Sequence, residues 1–472
     1  MNILLTGATG YIGKRILPAL AKDGHHIYCG TRDIQRLSVP EAFADQITVL
    51  EMDLLNAESL KSIPYSIDVA FYLVHSMASS GNYQKMEQLS AENFRMAIER
   101  TCVQQVIYLG GIVNEDKLSQ HLESRKNVEN ELRKGKYNLT VLRAGIIIGS
   151  GSASFEIIRD IVEKLPVMIT PKWLNTKCQP IGISDVICYL KACILNAKTF
   201  NQNFDIGGPD ILTYKEMLLE YAHVRKLNRY IFTVPVMTPK LSSYWLYFVT
   251  STSFKLAASL VDSMKVEVVC KDNRIREIIK TETLTYRKAL KRAFNKIQNN
   301  EIVSSWKDSF SSGDLAYNIS DFITVPSYGC FRDNRSLKIK DKSYTIERIF
   351  GIGGSNGWYY GNWMWQLRGF MDKLVGGVGL RRGRTSPDKL FAGDAVDFWR
   401  VLYANEEEGR LLLFAEMKLP GEAWLEFRIK GDKLFQNATF RPHGITGRLY
   451  WYAVLPFHGF VFNGMIKSLI HK

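Results

Sequence analysis

The stretch Thr6-Gly7-Ala8-Thr9-Gly10-Tyr11-Ile12-Gly13 decides how the 472-residue chain begins to fold. It follows the apolar run Asn2-Ile-Leu-Leu-Thr6 and precedes an amphipathic pattern, so it reads as the turn from a first strand into a first helix. Its glycines have the spacing GxxGxxG. Gly7 permits a tight turn, Gly10 lets the backbone approach a pyrophosphate, and Gly13 lets the helix pack closely on the strand. Thr6, Thr9, Tyr11 and Ile12 complete a loop whose N–H groups, with the positive end of the helix dipole, face the phosphates. A glycine triplet alone says little, but one that opens a strand–helix–strand unit is a dinucleotide site.

Outward from this loop, strand-like runs at 2–6, 26–31, 47–50, 68–74, 103–109 and 139–142 alternate with amphipathic stretches such as 81–100 and 119–133. That alternation predicts an α/β domain, a Rossmann-like doubly wound parallel sheet covered on both faces. Residues 212–295 read as a mostly helical extension on the substrate side, giving a first domain over 1–295, and 296–315 as a polar linker. From 316 to 472 the texture changes. Six of the nine tryptophans fall after residue 330, and Leu411–Lys418 and Ala423–Ile429 flank the turn residues Leu419-Pro-Gly-Glu422. A hairpin there, followed by the apolar segment Gly447 to Ile470 interrupted by Pro456, predicts an α+β domain whose antiparallel sheet is closed by a long C-terminal helix. That architecture is helix-grip-like and suits a hydrophobic ligand.

Composition narrows the function. With 46% hydrophobic and 23% charged residues the chain is globular, which excludes disordered and collagen-like classes. The net charge of +14 sits mostly in residues 251–472, which hold 34 basic and 23 acidic groups. A Lys/Arg-rich helical pattern from Thr281 to Lys296 contributes, and it reads as solvated surface. With no nucleic-acid module in the sequence, no nucleic-acid partner is expected. Peripheral contact with acidic lipid through 240–300 is a weaker reading. The seven cysteines are scattered without CxxC spacing, so neither a metal site nor a disulfide framework is expected, and reduced thiols suit a cytoplasmic protein. With a strand-like run almost at once and no basic n-region, no signal peptide is expected. The most membrane-like run, Tyr244 to Val261, carries Lys255 and several Ser and Thr residues, so no transmembrane segment is expected.

Cofactor choice is read at the end of the second strand, Cys29-Gly-Thr31-Arg32-Asp33. Thr31 stands where an acid would select NAD, and Arg32 follows it, suited to a 2′-phosphate, so the expectation is NADP, with NAD the alternative. Asp53 and Leu54 end the third strand, where Asp53 can accept from the adenine amino group. His75, with Ser76, ends the fourth strand where the nicotinamide half would pass.

The glycine triplet, Met52-Asp53-Leu54, Arg143-Ala-Gly145 and Phe204-Asp-Ile-Gly-Gly-Pro209 resemble the short-chain dehydrogenase/reductase superfamily, and most closely its atypical, NmrA-like branch, over about residues 1–225. Beyond it, Trp358-Tyr-Tyr, Arg368-Gly-Phe, Gly376 to Arg384, Asp397-Phe-Trp-Arg400 and Tyr450 to His458 resemble bacterial proteins that fuse such a domain to a C-terminal domain of unknown function. The resemblance implies a Ser–Tyr–Lys catalytic set, and this chain departs from all three. The Ser position reads Leu109-Gly110-Gly111, and His121-Leu-Glu-Ser-Arg125 stands where Tyr-x-x-x-Lys is expected. In one reading His121 is a substitute acid/base and Arg125 fixes the ribose. In the other the domain binds NADP without chemistry, as a redox or ligand sensor. In the C-terminal half, Arg381, Arg382 and Arg384 in a glycine-rich run are candidates for an anion or ligand site, while Gly351–Gly357 reads as a turn.

Overall fold

The computed structural model describes all residues except 33, 35–36, 38, 40, 75–82, 115–119, 235–263, 299–324, 326–329, 376, 378, 380–389, 443 and 472. The chain divides into two compact units, one of Met1–Thr250 with Phe254–Asp314, the other of Leu315–Lys472 with Ser251–Ser253.

The first unit is built on strands β1 (Asn2–Thr6), β2 (His26–Thr31), β3 (Ile47–Glu51), β4 (Val69–Tyr72), β5 (Gln105–Gly111) and β6 (Asn138–Ala144). Between them run helices α1 (Gly13–Lys22), α2 (Tyr83–Ile98) and α3 (Gln120–Leu132). After α4 (Ala153–Lys164), strand β7 (Val167–Pro171) and α5 (Ile183–Ala192), strand β8 (Gln202–Ile206) completes the sheet. Its seven strands, all parallel, lie in the order β8-β6-β5-β4-β1-β2-β3. The order steps outward from β1 in both directions, which puts the glycine loop at the point where the winding reverses.

Period-two burial explains the doubly covered sheet. Ile3, Leu5, Val69 and Phe71 pack with Ile16, Leu20 and Leu190 of α1 and α5 on one face. The alternate residues Leu4, Ala70 and Tyr72 pack with Phe94, Ile98 and Leu132 of α2 and α3 on the other. Both faces are apolar because both are covered.

A third cluster joins α4 to α6 (Tyr214–Val224) and to a helix much later in the chain. Within 212–295, where a mostly helical stretch is expected, the described residues include a strand beside helices. Strand β9 (Tyr230–Val234) pairs in parallel with β7, Tyr230 opposite Val167. Among the described residues two helices follow, α7 (Arg274–Ile278) and α8 (Tyr286–Gln298). Phe294 of α8 meets the rings of Phe155 and Tyr221 at 5.5 and 5.2 Å.

The second unit holds β10 (Phe331–Lys338), α9 (Lys342–Phe350), α10 (Asn362–Leu374), β11 (Ala395–Val396), β12 (Trp399–Asn405), β13 (Arg410–Ala415), β14 (Gly421–Lys430), β15 (Lys433–Pro442) and α11 (Gly444–Ile470). Its sheet is antiparallel, six strands in the order β10-β15-β14-β13-β12-β11, and β13–β14 is the hairpin expected from the sequence. The terminal helix runs unbroken through Pro456 rather than being interrupted by it. The C-terminal end of α11, with Phe462, Met465, Ile466 and Leu469, shares the core of the sheet with Leu413, Leu425 and Leu434. Gly351–Gly357 is a turn, containing one short 3-10 segment at Gly354–Asn356.

Candidate functional site

The glycine loop has the geometry its spacing demands. Gly7 sits at φ +73, and a Cβ there would lie 2.7 Å from the Leu73 carbonyl oxygen, so the turn is drawn tight against the end of β4. A Cβ on Gly13 would overlap the carbonyl oxygen of Gly7, which fixes how closely α1 enters the loop. Gly10 is different: among the described residues the one heavy atom within 4 Å of an added Cβ is Gly7 O, at 3.1 Å. Gly10 N donates to Gly7 O at 2.9 Å, and Thr6 Oγ1 donates to Phe71 O at 2.9 Å, tying the loop to the sheet. Ile12 stands at the N-cap of α1 without a side-chain cap, and the first turn holds no acid. The positive helix end is thus offered to an external anion.

One contributor was not anticipated. Arg15 lies over the Tyr11 ring, 3.8 Å from its centroid, and donates to Tyr11 O at 3.1 Å and to Ser150 O at 2.7 Å. It clasps the loop to the turn that follows β6, against which Tyr11 also rests at Gly149. An arginine two residues past the last glycine carries no signal in the sequence, because its carbonyl partner is 135 residues away.

At the end of β2, Thr31 is buried and Arg32 is exposed. Asp33 lies outside the described residues. Asp53 Oδ1 accepts from Leu55 N at 3.1 Å, and Leu54 O accepts from Asn93 of α2 at 2.8 Å, so this turn is held by the protein itself. His75, Ser76 and the arginines 381, 382 and 384 also lie outside the described residues.

The end of β5 meets α3. A Cβ on Gly111 would stand 3.2 Å from Leu122 Cδ2 and 3.4 Å from Arg125 Cδ, so the space a serine would need is bordered by these two side chains. The Nε of Arg125 is buried and finds no hydrogen-bond partner among the described residues. Beneath, Tyr108 Oη donates to Arg125 O at 3.3 Å, and Ser124 hydrogen-bonds to Glu87 of α2, fixing the register of α3 on the sheet. Burial, the largest cause, pushes the Tyr108 phenol well above its ordinary range, so it stays protonated as a donor. His121 lies one turn before Arg125 on α3; its side chain is not among those described. Arg143, part of the Arg-Ala-Gly signature, forms a two-pronged pair with Glu129 at 3.0 and 2.8 Å, so its part is to bind α3 to β6.

The sheet order and the glycine loop together define a Rossmann-like α/β domain. Residues 1–218 match the NmrA-like family, and residues 329–465 match DUF2867, a family described as protein of unknown function. Among curated proteins, divinyl chlorophyllide a 8-vinyl-reductase, chloroplastic, of Arabidopsis thaliana is 23% identical over 230 residues, 44% of this chain and 54% of that one. The chain thus spans about half the length of the curated relatives it matches. Among solved structures, a nucleoside-diphosphate-sugar epimerase from Staphylococcus aureus aligns at TM-score 0.50 and 18% identity, over 61% of this chain and 99% of that one. An NADPH-dependent quinone oxidoreductase from Escherichia coli, complexed with NADPH, aligns at TM-score 0.50 and 17% identity, over 62% and 100%. These likenesses concern the fold of the first unit.

Proposed function

We propose that the protein is an NADP(H)-dependent oxidoreductase of the short-chain dehydrogenase type acting on a small molecule. The observation that carries this reading is the glycine loop: a tight turn at Gly7, room beside Gly10 among the described residues and a helix without a side-chain cap behind them. A pyrophosphate fits there, held by the backbone of Thr9 to Gly13, while exposed Arg32 pairs with the 2′-phosphate and Asp53 meets the adenine. The vinyl reductase and the NADPH-bound quinone oxidoreductase among its relatives support a reductase, and the latter the phosphorylated cofactor. When bound, the nicotinamide supplies a hydride. The chain's own part is to orient the substrate carbon and deliver one proton, from His121, with Arg125 holding the ribose hydroxyls in place of the family's lysine.

Gly110-Gly111 favours a second reading. Without a serine hydroxyl to polarise a carbonyl, the domain would be a non-catalytic NADP(H) sensor. The test is NADPH oxidation over a panel of carbonyls, enones and quinones with wild type, His121→Ala and Arg125→Ala. Turnover lost with His121→Ala, while NADPH still binds, supports the oxidoreductase. NADPH binding without turnover of any substrate leaves the sensor, and failure to bind NADPH or NADH overturns both.

A further inference from the structure

The second unit keeps a great deal of apolar side chain in contact with water. On α10, Trp363, Leu367, Phe370, Met371 and Leu374 are each 50–65% exposed, at spacings that form one stripe, while Trp365 and Gly369 face inward. On α11, Ile445, Leu449, Tyr452, Phe457 and Phe460 are each 56–77% exposed. From Ile445 to Phe460 only Gly447 and Trp451 are buried. A helix apolar on all sides belongs in a protein core or in lipid. Single exposed apolar residues are ordinary, but contiguous stripes on two helices mark an interaction surface.

The two stripes start from one corner. Tyr360, just before α10, packs its ring 5.2 Å from that of Phe460 and fills the space beside Gly464.

Length decides how such a surface could meet a bilayer. Among the described residues α11 is the one helix long and apolar enough to span a membrane. Its last third is committed to the core, with Met465 and Leu469 fully buried. The remaining part, Ile445 to Phe460, is about 24 Å long at 1.5 Å per residue, short of the roughly 30 Å hydrocarbon core. Crossing would require pulling the core apart, whereas lying on the surface would not.

Charge identifies the occupant. The charged residues of α10 and of α11 as far as Phe460 are Arg368, Lys373 and Arg448, with a single acid, Asp372. Asp372 is fully buried, its carboxylate taken by Gly379 N at 2.8 Å and Lys418 N at 2.7 Å. The face therefore offers lipid only apolar groups and cations. A second copy seated on it would bring like charges together. We propose that α10 and the N-terminal part of α11 dock this unit on an anionic lipid bilayer, with Trp363 and Tyr452 at the headgroup level.

The test uses the full chain with phosphatidylcholine vesicles, with and without phosphatidylglycerol. Wild type should sediment about tenfold more with the anionic vesicles at low salt, and less as salt rises. The double variant Phe370→Glu/Phe457→Glu should lose about tenfold in binding, since each charge would enter the interface. Both replaced side chains lie in water, so near-ultraviolet circular dichroism and the melting midpoint should stay unchanged. Brominated lipids should quench part of the tryptophan fluorescence, and less so in Trp363→Phe. Wild type left in the supernatant with anionic vesicles at low salt would overturn the proposal. So would unchanged binding by the double variant, or a dimer in solution that the same variant dissociates, which would assign the face to a second copy.

Discussion

Glu416 and Arg400 face each other at the edge of the antiparallel sheet, with Glu416 Oε1 2.9 Å from Arg400 Nε and 2.8 Å from Nη2 and neither side chain reached by solvent. Arg400 Nη1 also donates to Gly393 O at 2.6 Å, so the guanidinium is tied to the loop before β11. Removing one partner would strand the other charge in the core. Glu416→Gln should cost the second unit about 3–5 kcal/mol in urea unfolding, whereas Arg400→Met/Glu416→Leu should recover most of that loss.

The glycines of the nucleotide loop should separate folding from binding. Gly13→Ala sets a Cβ onto the Gly7 carbonyl and should lower the melting midpoint by several degrees. Gly10→Ala needs the Gly7 oxygen to yield only a few tenths of an ångström, so the midpoint should hold. Its methyl would occupy the pyrophosphate's approach, and NADPH affinity, read by fluorescence titration, should fall about tenfold or more.

Exposed Arg32 should govern the choice between phosphorylated and unphosphorylated cofactor. Arg32→Glu should weaken NADPH by about 1.5–3 kcal/mol, the range for a charge-assisted hydrogen bond, and leave NADH unchanged or improved. Parallel titrations with both dinucleotides check this, and equal losses for both would remove Arg32 from the site.

The imidazole of His458 is held below its ordinary range, first by burial between Trp451 and Phe462; Asp333 opposes the shift and Arg335 adds to it. As pH falls through about 6.5 the unfolded chain takes up a proton that the folded histidine refuses, so stability declines on acidification. Melting of the second unit between about pH 7.5 and 5.5 should show this slope, and His458→Phe should flatten it.

Thiol chemistry should be confined to the surface. Burial pushes Cys29, Cys178, Cys193 and Cys270 up to about 12, while Cys102 and Cys188 are exposed. A disulfide reagent at neutral pH should label Cys102 and Cys188 within minutes and reach the four others only on unfolding.

How much of this was readable in advance depended on whether a signal was local. Strands β1 to β6 were legible because residues buried on both faces make short unbroken apolar runs, and the glycine loop because its spacing is itself the mechanism. Strand β9 was not: five residues inside a long helical pattern take strand form only because β7, some 60 residues earlier, offers an edge. The unbroken path of α11 through Pro456 also escaped notice, since a proline argues for a break. At the candidate catalytic centre the sequence could report the missing serine, tyrosine and lysine. It could not report that Leu122 and Arg125 crowd Gly111, because that depends on how α3 seats on Tyr108 and Glu87.

The late helices of the first unit carry a further implication. Gln179 N donates to Val268 O at 2.9 Å while its side-chain Oε1 accepts from Cys270 N at 3.0 Å, Asp185 accepts from Leu284 N at 2.8 Å, and Asp210 accepts from Tyr286 N at 2.7 Å. Ile275 and Ile279 thus complete a core begun at Ile3, and Tyr286 to Phe294 one begun at Ile148, although the family match stops at 218. On the ribosome, where chain emerges at about 5–20 residues per second, the nucleotide-binding half would wait several seconds with one flank open after its sheet is complete. Fragments ended at the family boundary should be insoluble for the same reason, and a useful expression boundary lies beyond α8.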